Sequence, residues 1–131
     1  MATTTATLTL SSADLTGDAL SLSTTATLTK AGTLTGLDQF TGVARKTFSS
    51  TSIATLVAKG DYTDDRAHKV YIKNTSSVAT ENLVVTIESQ LLGRLYAGDW
   101  ALLPFNGDQD IKVTPSVATD MVVEYAVFYE A

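Results

Sequence analysis

The first third of the chain alternates apolar and hydroxyl residues with a period of two. The alternation is clearest at residues 6–11, 20–23 and 26–29, where Ala or Leu takes every second position and Thr or Ser takes the others. Because successive side chains of a strand point to opposite faces, this pattern predicts half-buried β-strands with one aliphatic and one hydroxyl face.

From residue 53 onward the strand signals are stronger and are separated by turn residues. They predict strands at residues 53–57, 70–73, 83–87, 100–103, 111–113 and 122–129. Residues 37–48 lack such a pattern and are predicted to be irregular, and residues 61–65 are predicted to form a polar loop. Asn106-Gly107 is typical of a two-residue β-hairpin turn.

The number and spacing of these strands predict the fold class. Roughly eight short strands without helical periodicity indicate an all-β protein with a single β-sandwich or jelly-roll-like domain. Residues 1–36 are rich in Thr, and the first aromatic residue is Phe40. Such a segment can be a strand pair in the main sheet or an extended arm that orders against a neighbouring subunit. Because small aliphatic side chains bury little surface, we expect an arm or edge element at 1–36 and a β-sandwich domain at 37–131.

Composition and charge narrow the range of partners. The chain has 22 Thr and 11 Ser, only 18% charged residues, a net charge of −5 and no cluster of Lys or Arg. These features favour β structure and disfavour nucleic acid and anionic membranes as partners. The absence of Cys is compatible with assembly in a reducing cytoplasm. With neither a signal-peptide pattern nor an apolar run long enough to span a membrane, we expect no membrane partner and no Sec secretion.

The sequence offers little for catalysis. It has one His, no Cys, no Gly-x-Ser-x-Gly elbow and no phosphate-binding glycine motif. His68 is expected to be a solvated or partly packed residue at the start of a strand. We therefore expect a non-enzymatic protein with no catalytic residue and no cofactor.

Other polar motifs have simpler structural interpretations. Asp61, Asp64 and Asp65 lack the ligand spacing of a calcium loop and are expected to lie in a solvated loop, so no metal is expected there. The triplet Asn74-Thr75-Ser76 fits the glycosylation pattern, but it falls where a strand should turn. Trp100, the only Trp, is expected to pack in the core, with a protein interface or sugar stacking as the alternatives.

The C-terminal half, residues 66–131, resembles short virion structural proteins of tailed phages, cyanophages included. The similarity lies in the strings VYIKN at 70–74, LYAGDWALLPF at 95–105, NG at 106–107, DIKV at 110–113 and VEYAVFY at 123–129. In such proteins this pattern belongs to a β-sandwich that packs on the capsid or on tail parts, commonly as an oligomer. Capsid cement proteins of this kind often add an extended N-terminal arm.

The resemblance implies a capsid cement or decoration protein on the virion surface, made in the host cytoplasm. Its expected partners are the major capsid protein and further copies of itself, as a homotrimer. The residues expected to interact are aliphatic near the N-terminus and aromatic near the C-terminus: Leu8, Leu10, Leu28, Tyr96, Trp100 and Phe105. The alternative is a tail, fibre or adaptor component with a carbohydrate-binding face. A polysaccharide-degrading enzyme is disfavoured because no pair of carboxylates stands out from turns and strand faces.

Overall fold

The computed structural model describes residues 3–15, 17 and 19–131, and its regular structure consists of β-strands. The strands are β1 (Thr5–Ser12), β2 (Leu20–Thr27), β3 (Gln39–Phe40), β4 (Ala44–Phe48), β5 (Ala54–Val57), β6 (His68–Asn74), β7 (Asn82–Ile87), β8 (Gln90–Tyr96), β9 (Trp100–Phe105), β10 (Ile111–Pro115) and β11 (Met121–Tyr129). The predicted all-β fold class is confirmed.

Strands β4 to β11 form two antiparallel sheets, with strand orders β4-β11-β6-β9 and β5-β10-β7-β8. Counted along the chain, these eight strands are ordered 1-8-3-6 in one sheet and 2-7-4-5 in the other. This is the two-sheet arrangement of a jelly roll. The short strand β3 extends the β4 edge, because it pairs with the last residues of β11.

The core lies between the two sheets and follows the alternation of their strands. Along β6, residues alternate between buried and half-buried, and Val70 and Ile72 are fully buried. Val123 on β11, Leu83 on β7 and Ile111 on β10 are fully buried as well. Removing side chains of this size from water contributes about 1.5–3 kcal/mol each, so the alternation fixes which face of each sheet points inward.

Two expectations about individual strands were wrong. Residues 37–48 contain β3 and β4 rather than irregular structure, and the sequence pattern missed β8 altogether. Strand β4 includes Arg45 and Lys46, charges that are common on a sheet edge but that disguise a strand in the sequence. Strand β8 is also an edge strand, and its Gly93 lies beside a register shift in the pairing with β7.

Asn106-Gly107 does not close a hairpin, contrary to expectation, because β9 and β10 belong to different sheets. Gly107 does have the positive φ that the dipeptide favours, at 104°. The Asn106 side-chain oxygen accepts a hydrogen bond from the Asp65 N–H at 2.9 Å. The dipeptide thus fixes the connection between the sheets against the 61–65 loop.

His68 is fully buried, rather than solvated or partly packed as expected. Its Nδ1 accepts a hydrogen bond from the Glu130 N–H at 3.3 Å, so the proton is on Nε2, which lies 2.9 Å from the Thr63 carbonyl oxygen. The rings of Tyr62 and Phe105 pack around the imidazole. The ring therefore joins the 61–65 loop to the C-terminus.

The N-terminal segment has two parts. Strands β1 and β2 form a separate two-stranded antiparallel sheet, hereafter the hairpin. Beyond β2, Leu28 and Leu37 are buried, and the Ala31 N–H donates to Glu130 Oε2 at 2.8 Å. The second and third of the expected N-terminal strands are thus largely one strand, and the chain is fastened to the domain from Leu28 onward.

Candidate protein-binding surface

One face of the hairpin is made of hydroxyl groups. Thr7 and Thr25 lie directly opposite each other and their Oγ1 atoms are 3.0 Å apart, while Thr9 and Ser23 are 3.5 Å apart at the oxygen atoms. Cross-strand hydroxyl pairs contribute roughly 0.2–1 kcal/mol each. This face can stay in contact with water without cost.

The opposite face of the hairpin is aliphatic and exposed. The register places Leu10 opposite Leu22 and Leu8 opposite Thr24, so the leucines of both strands share one side. The exposed fractions are 37% for Leu8, 44% for Leu10, 37% for Leu20 and 46% for Leu22. The expectation of half-buried strands was wrong, because the aliphatic face that the pattern predicts lacks a covering layer within the described chain.

A groove of about 800 Å³ runs between this aliphatic face and β9. Leu8 and Leu10 line it on the hairpin side, and Trp100 and Leu102 line it on the β9 side, with Leu95 nearby. We call it the hairpin groove. Its lining is aliphatic and aromatic apart from hydroxyl groups and the carboxylate of Asp99.

Trp100 points into this groove because of the register of β9. Ala101 pairs with Ile72, which is fully buried, whereas Trp100 pairs with Lys73 on the outer face of the sheet. Side chains opposite each other in an antiparallel pair lie on the same side. Trp100 is therefore 53% exposed, and the expectation that it packs in the core was wrong.

Hydrogen bonds fix the turn that precedes Trp100. The Asp99 carboxylate accepts from the Tyr96 N–H at 2.9 Å, and the Gly98 N–H donates to the Asn74 carbonyl at 2.9 Å. Buried Asn74 also donates through Nδ2 to the Leu95 carbonyl at 3.0 Å. The Asn74 triplet thus has a structural role, in holding the end of β6 to the β8–β9 turn.

The six residues expected to interact are in different environments. Leu8, Leu10 and Trp100 line the hairpin groove, and Tyr96 is exposed but does not line it. Leu28 and Phe105 are buried within the chain.

Sequence reasoning missed three exposed leucines of this surface, Leu20, Leu22 and Leu102. The period-two pattern contains them, since Leu20 and Leu22 alternate with serines and Leu102 is two residues from Trp100 on the same strand. An alternation of this kind does not show whether the aliphatic face is covered.

The hairpin groove lies between an uncharged hairpin and a charged sheet face. Strands β1 and β2 contain no charged residue, whereas the neighbouring outer face of β6 and β11 is charged. There Glu124 accepts a hydrogen bond from the Tyr71 hydroxyl at 3.1 Å and pairs with Arg45 at 3.1 Å. The Tyr71 hydrogen bond, and then Arg45, hold the pKa of Glu124 below its ordinary value. The aliphatic surface therefore has a polar border.

The described residues include no group of three or more His, Cys, Asp or Glu side chains placed to hold a metal ion. Nor does that part of the chain contain a helix long and apolar enough to cross a membrane.

The fold and surface together define the chain as an all-β jelly-roll domain with an exposed apolar hairpin. Comparisons with models of protein families, with curated proteins and with solved structures give no match.

Proposed function

We propose that this chain is a non-enzymatic structural protein that cements or decorates the capsid of a tailed phage, where it binds the shell of the major capsid protein and stabilises it. The proposal is carried by the exposed aliphatic surface of the hairpin and its groove. A soluble monomer rarely exposes a contiguous apolar patch of more than about 300–600 Å². Six side chains of this surface together expose roughly 500 Å² by their exposed fractions, which is as large as the largest apolar patch of a typical monomer, and a patch of that size is often a binding surface: Leu8, Leu10, Leu20, Leu22, Trp100 and Leu102.

The free energy that burial of this surface supplies favours binding through several linked copies. At about 25 cal/mol per Å², roughly 500 Å² supplies on the order of 12 kcal/mol, and association itself costs about 4–15 kcal/mol. One such surface therefore gives limited affinity. Several linked copies at a junction between shell subunits bind far more strongly than one, because later contacts form within an existing complex. In this proposal a homotrimer acts as a clamp.

The copy number in purified particles of the phage that encodes this chain tests the location. Quantitative mass spectrometry should give a ratio to the major shell subunit comparable to that of a shell component. A few copies per particle would assign the chain to the tail, and its absence from particles would refute a virion role.

Deletion of residues 1–27 tests the role of the hairpin. The deletion ends just before buried Leu28, so the jelly roll should keep its β-type circular dichroism and cooperative unfolding. Binding to particles that lack the wild-type protein should be lost. The control is Leu34→Thr in the full chain, since Leu34 is 96% exposed outside the hairpin. Undiminished binding of the deletion variant would contradict the proposal.

The exposure of Trp100 favours a second candidate, a tail-fibre or adaptor component with a carbohydrate-binding face. An aromatic ring on a groove wall can stack on a sugar. A glycan array probed with the wild-type chain and with Trp100→Ala separates the two functions. Glycan binding that Trp100→Ala abolishes would favour the fibre role, and an empty array would leave the cement role as the better supported one.

A further inference from the structure

We infer that the hairpin groove of one copy binds the end of the hairpin of a second copy, so that copies associate head to tail through one repeated contact. The hairpin end is defined by Leu15, Leu20 and Leu22. This inference deepens the proposed function, on which it rests, by assigning the apolar surface to the contacts that link the copies of the clamp to one another.

The first observation is that the aliphatic face extends beyond the groove. Thr24 and Ala26 of β2 line the hairpin groove, but Leu20 and Leu22, further along the same face, do not. Leu15, in the connection between β1 and β2, is 66% exposed. The aliphatic face therefore continues from the hairpin groove to the hairpin end, with Leu22 directly opposite Leu10.

The second observation is that the two surfaces match in chemistry. Neither strand of the hairpin carries a charge, so the leucines of the strands can be buried without desolvating an ion of either strand. Asp14, next to Leu15 in the connection, is exposed and accepts a hydrogen bond from the Ser12 hydroxyl at 3.2 Å. The Asp99 carboxylate lines the groove, and its Oδ2 already accepts the Tyr96 N–H.

The third observation is that the hairpin end and the hairpin groove expose enough apolar area for a specific contact between two copies. The hairpin end of one copy and the groove of the next expose roughly 600 Å² of leucine and tryptophan surface together. Apolar atoms make up about 57% of a typical interface. A contact of roughly 1,000 Å² in total follows, which meets the lower bound for a specific interface.

The fourth observation concerns the sheet edges. β1 and β2 form a two-stranded sheet, so each strand has a free edge, and neither strand contains Pro or a charged residue. Three edge strands of the jelly roll carry such features, whereas the short edge strand β5 does not: Arg45 and Lys46 on β4, Arg94 on β8 and Pro104 on β9. Proteins use charges and Pro to block pairing between edges. The unprotected hairpin is thus suited to contact with another chain.

The hairpin end and the hairpin groove consist of different residues, so a contact between the end of one copy and the groove of the next is heterologous and closes into a ring when the rotation between copies permits. A homotrimer is one such ring.

Two complementary variants test this geometry. The end variant carries Leu20→Thr and Leu22→Thr, and the groove variant carries Trp100→Thr and Leu102→Thr. All four positions are exposed and Thr favours strands, so both variants should fold like the wild type by circular dichroism. A matched control, Leu34→Thr with Leu91→Thr, removes two exposed leucines elsewhere.

Sedimentation equilibrium should show that the wild type and the control associate with a dissociation constant of roughly 10 µM or tighter. Each of the two complementary variants alone should associate at least about tenfold more weakly. Mixing them should restore a 1:1 complex, since the mixture contains one intact groove and one intact hairpin end.

Trp100 provides a second readout. It is the only Trp, and the groove variant lacks it, so emission from the mixture reports only the groove of the end variant. That emission should shift to shorter wavelength on mixing. A wild type that stays monomeric at about 100 µM, an end variant that associates like the control, or a mixture without complex or emission shift would each overturn the inference.

The outcome is separable from that of the proposed function. A monomeric chain that still binds phage particles refutes the head-to-tail contact and leaves the cement role. An associating chain that is absent from particles refutes the cement role and leaves the contact.

Discussion

Replacement of Asn74 should destabilise the domain more than its place in a turn-like triplet suggests. Asn74 is fully buried; its Nδ2 donates to the Leu95 carbonyl at 3.0 Å and its Oδ1 accepts from the Ser76 N–H at 3.0 Å. Asn74→Ala leaves both backbone groups without their partner. A polar group left unsatisfied in the interior costs about 1–3 kcal/mol, so we expect a loss of about 3 kcal/mol in the free energy of unfolding.

Urea unfolding followed by circular dichroism and by Trp100 emission measures this loss, which corresponds to a fall of roughly 10 °C in Tm for a chain of this size. Asn82→Ala is the matched control, because Asn82 is only half-buried and its Nδ2 makes a single 3.5 Å contact with the Thr80 carbonyl. It should cost less than about 1 kcal/mol. Equal losses in the two variants would refute the assignment of Asn74 as a structural link.

Two further predictions concern other parts of the domain. Gly107→Ala should lower the free energy of unfolding by about 2–5 kcal/mol, because an added Cβ would lie 2.5 Å from the Thr63 carbonyl oxygen at a φ of 104°. Gly60→Ala, at a φ of 88° with open space around it, should lower it by only about 1–2 kcal/mol. Chemical denaturation measures both losses, and equal losses would disprove the steric argument. The lowered pKa of Glu124 means that its contacts stabilise the fold above about pH 4.5 and that this contribution is lost as the pH falls through the lowered pKa. Tyr71→Phe removes the main cause of the shift, so its Tm should fall less steeply than that of the wild type between about pH 4.5 and pH 3, and parallel curves would count against this origin.

The strands that the sequence predicted best are those for which alternation and burial coincide. The inward-facing positions of strands β6, β7 and β11 are strongly apolar, and the buried side chains of these strands agree with the alternation in the sequence. Strands β4 and β8 were not predicted because edge positions tolerate charges and glycine, which weaken the signal. The pairing of β11 between β4 and β6 is a long-range feature that no local pattern contains.

The candidate surface could be predicted only in part. The chain pattern singled out Leu8, Leu10 and Trp100, all of which line the groove. It did not separate them from Leu28 and Phe105, which are buried. The type of a side chain and its position in an alternation specify a face of a strand, but what covers that face depends on distant parts of the chain.

The position of β11 determines when the protein can fold during its synthesis. This strand ends at residue 129 and lies between β4 and β6, so the sheet stays open until residue 129 has left the ribosome. The hairpin, in contrast, closes between neighbouring segments and can form as soon as residue 27 has emerged. Its leucine face is then displayed throughout the rest of translation. Chains made on one messenger could meet through their hairpins before any jelly roll is complete, which would couple assembly to the rate of synthesis.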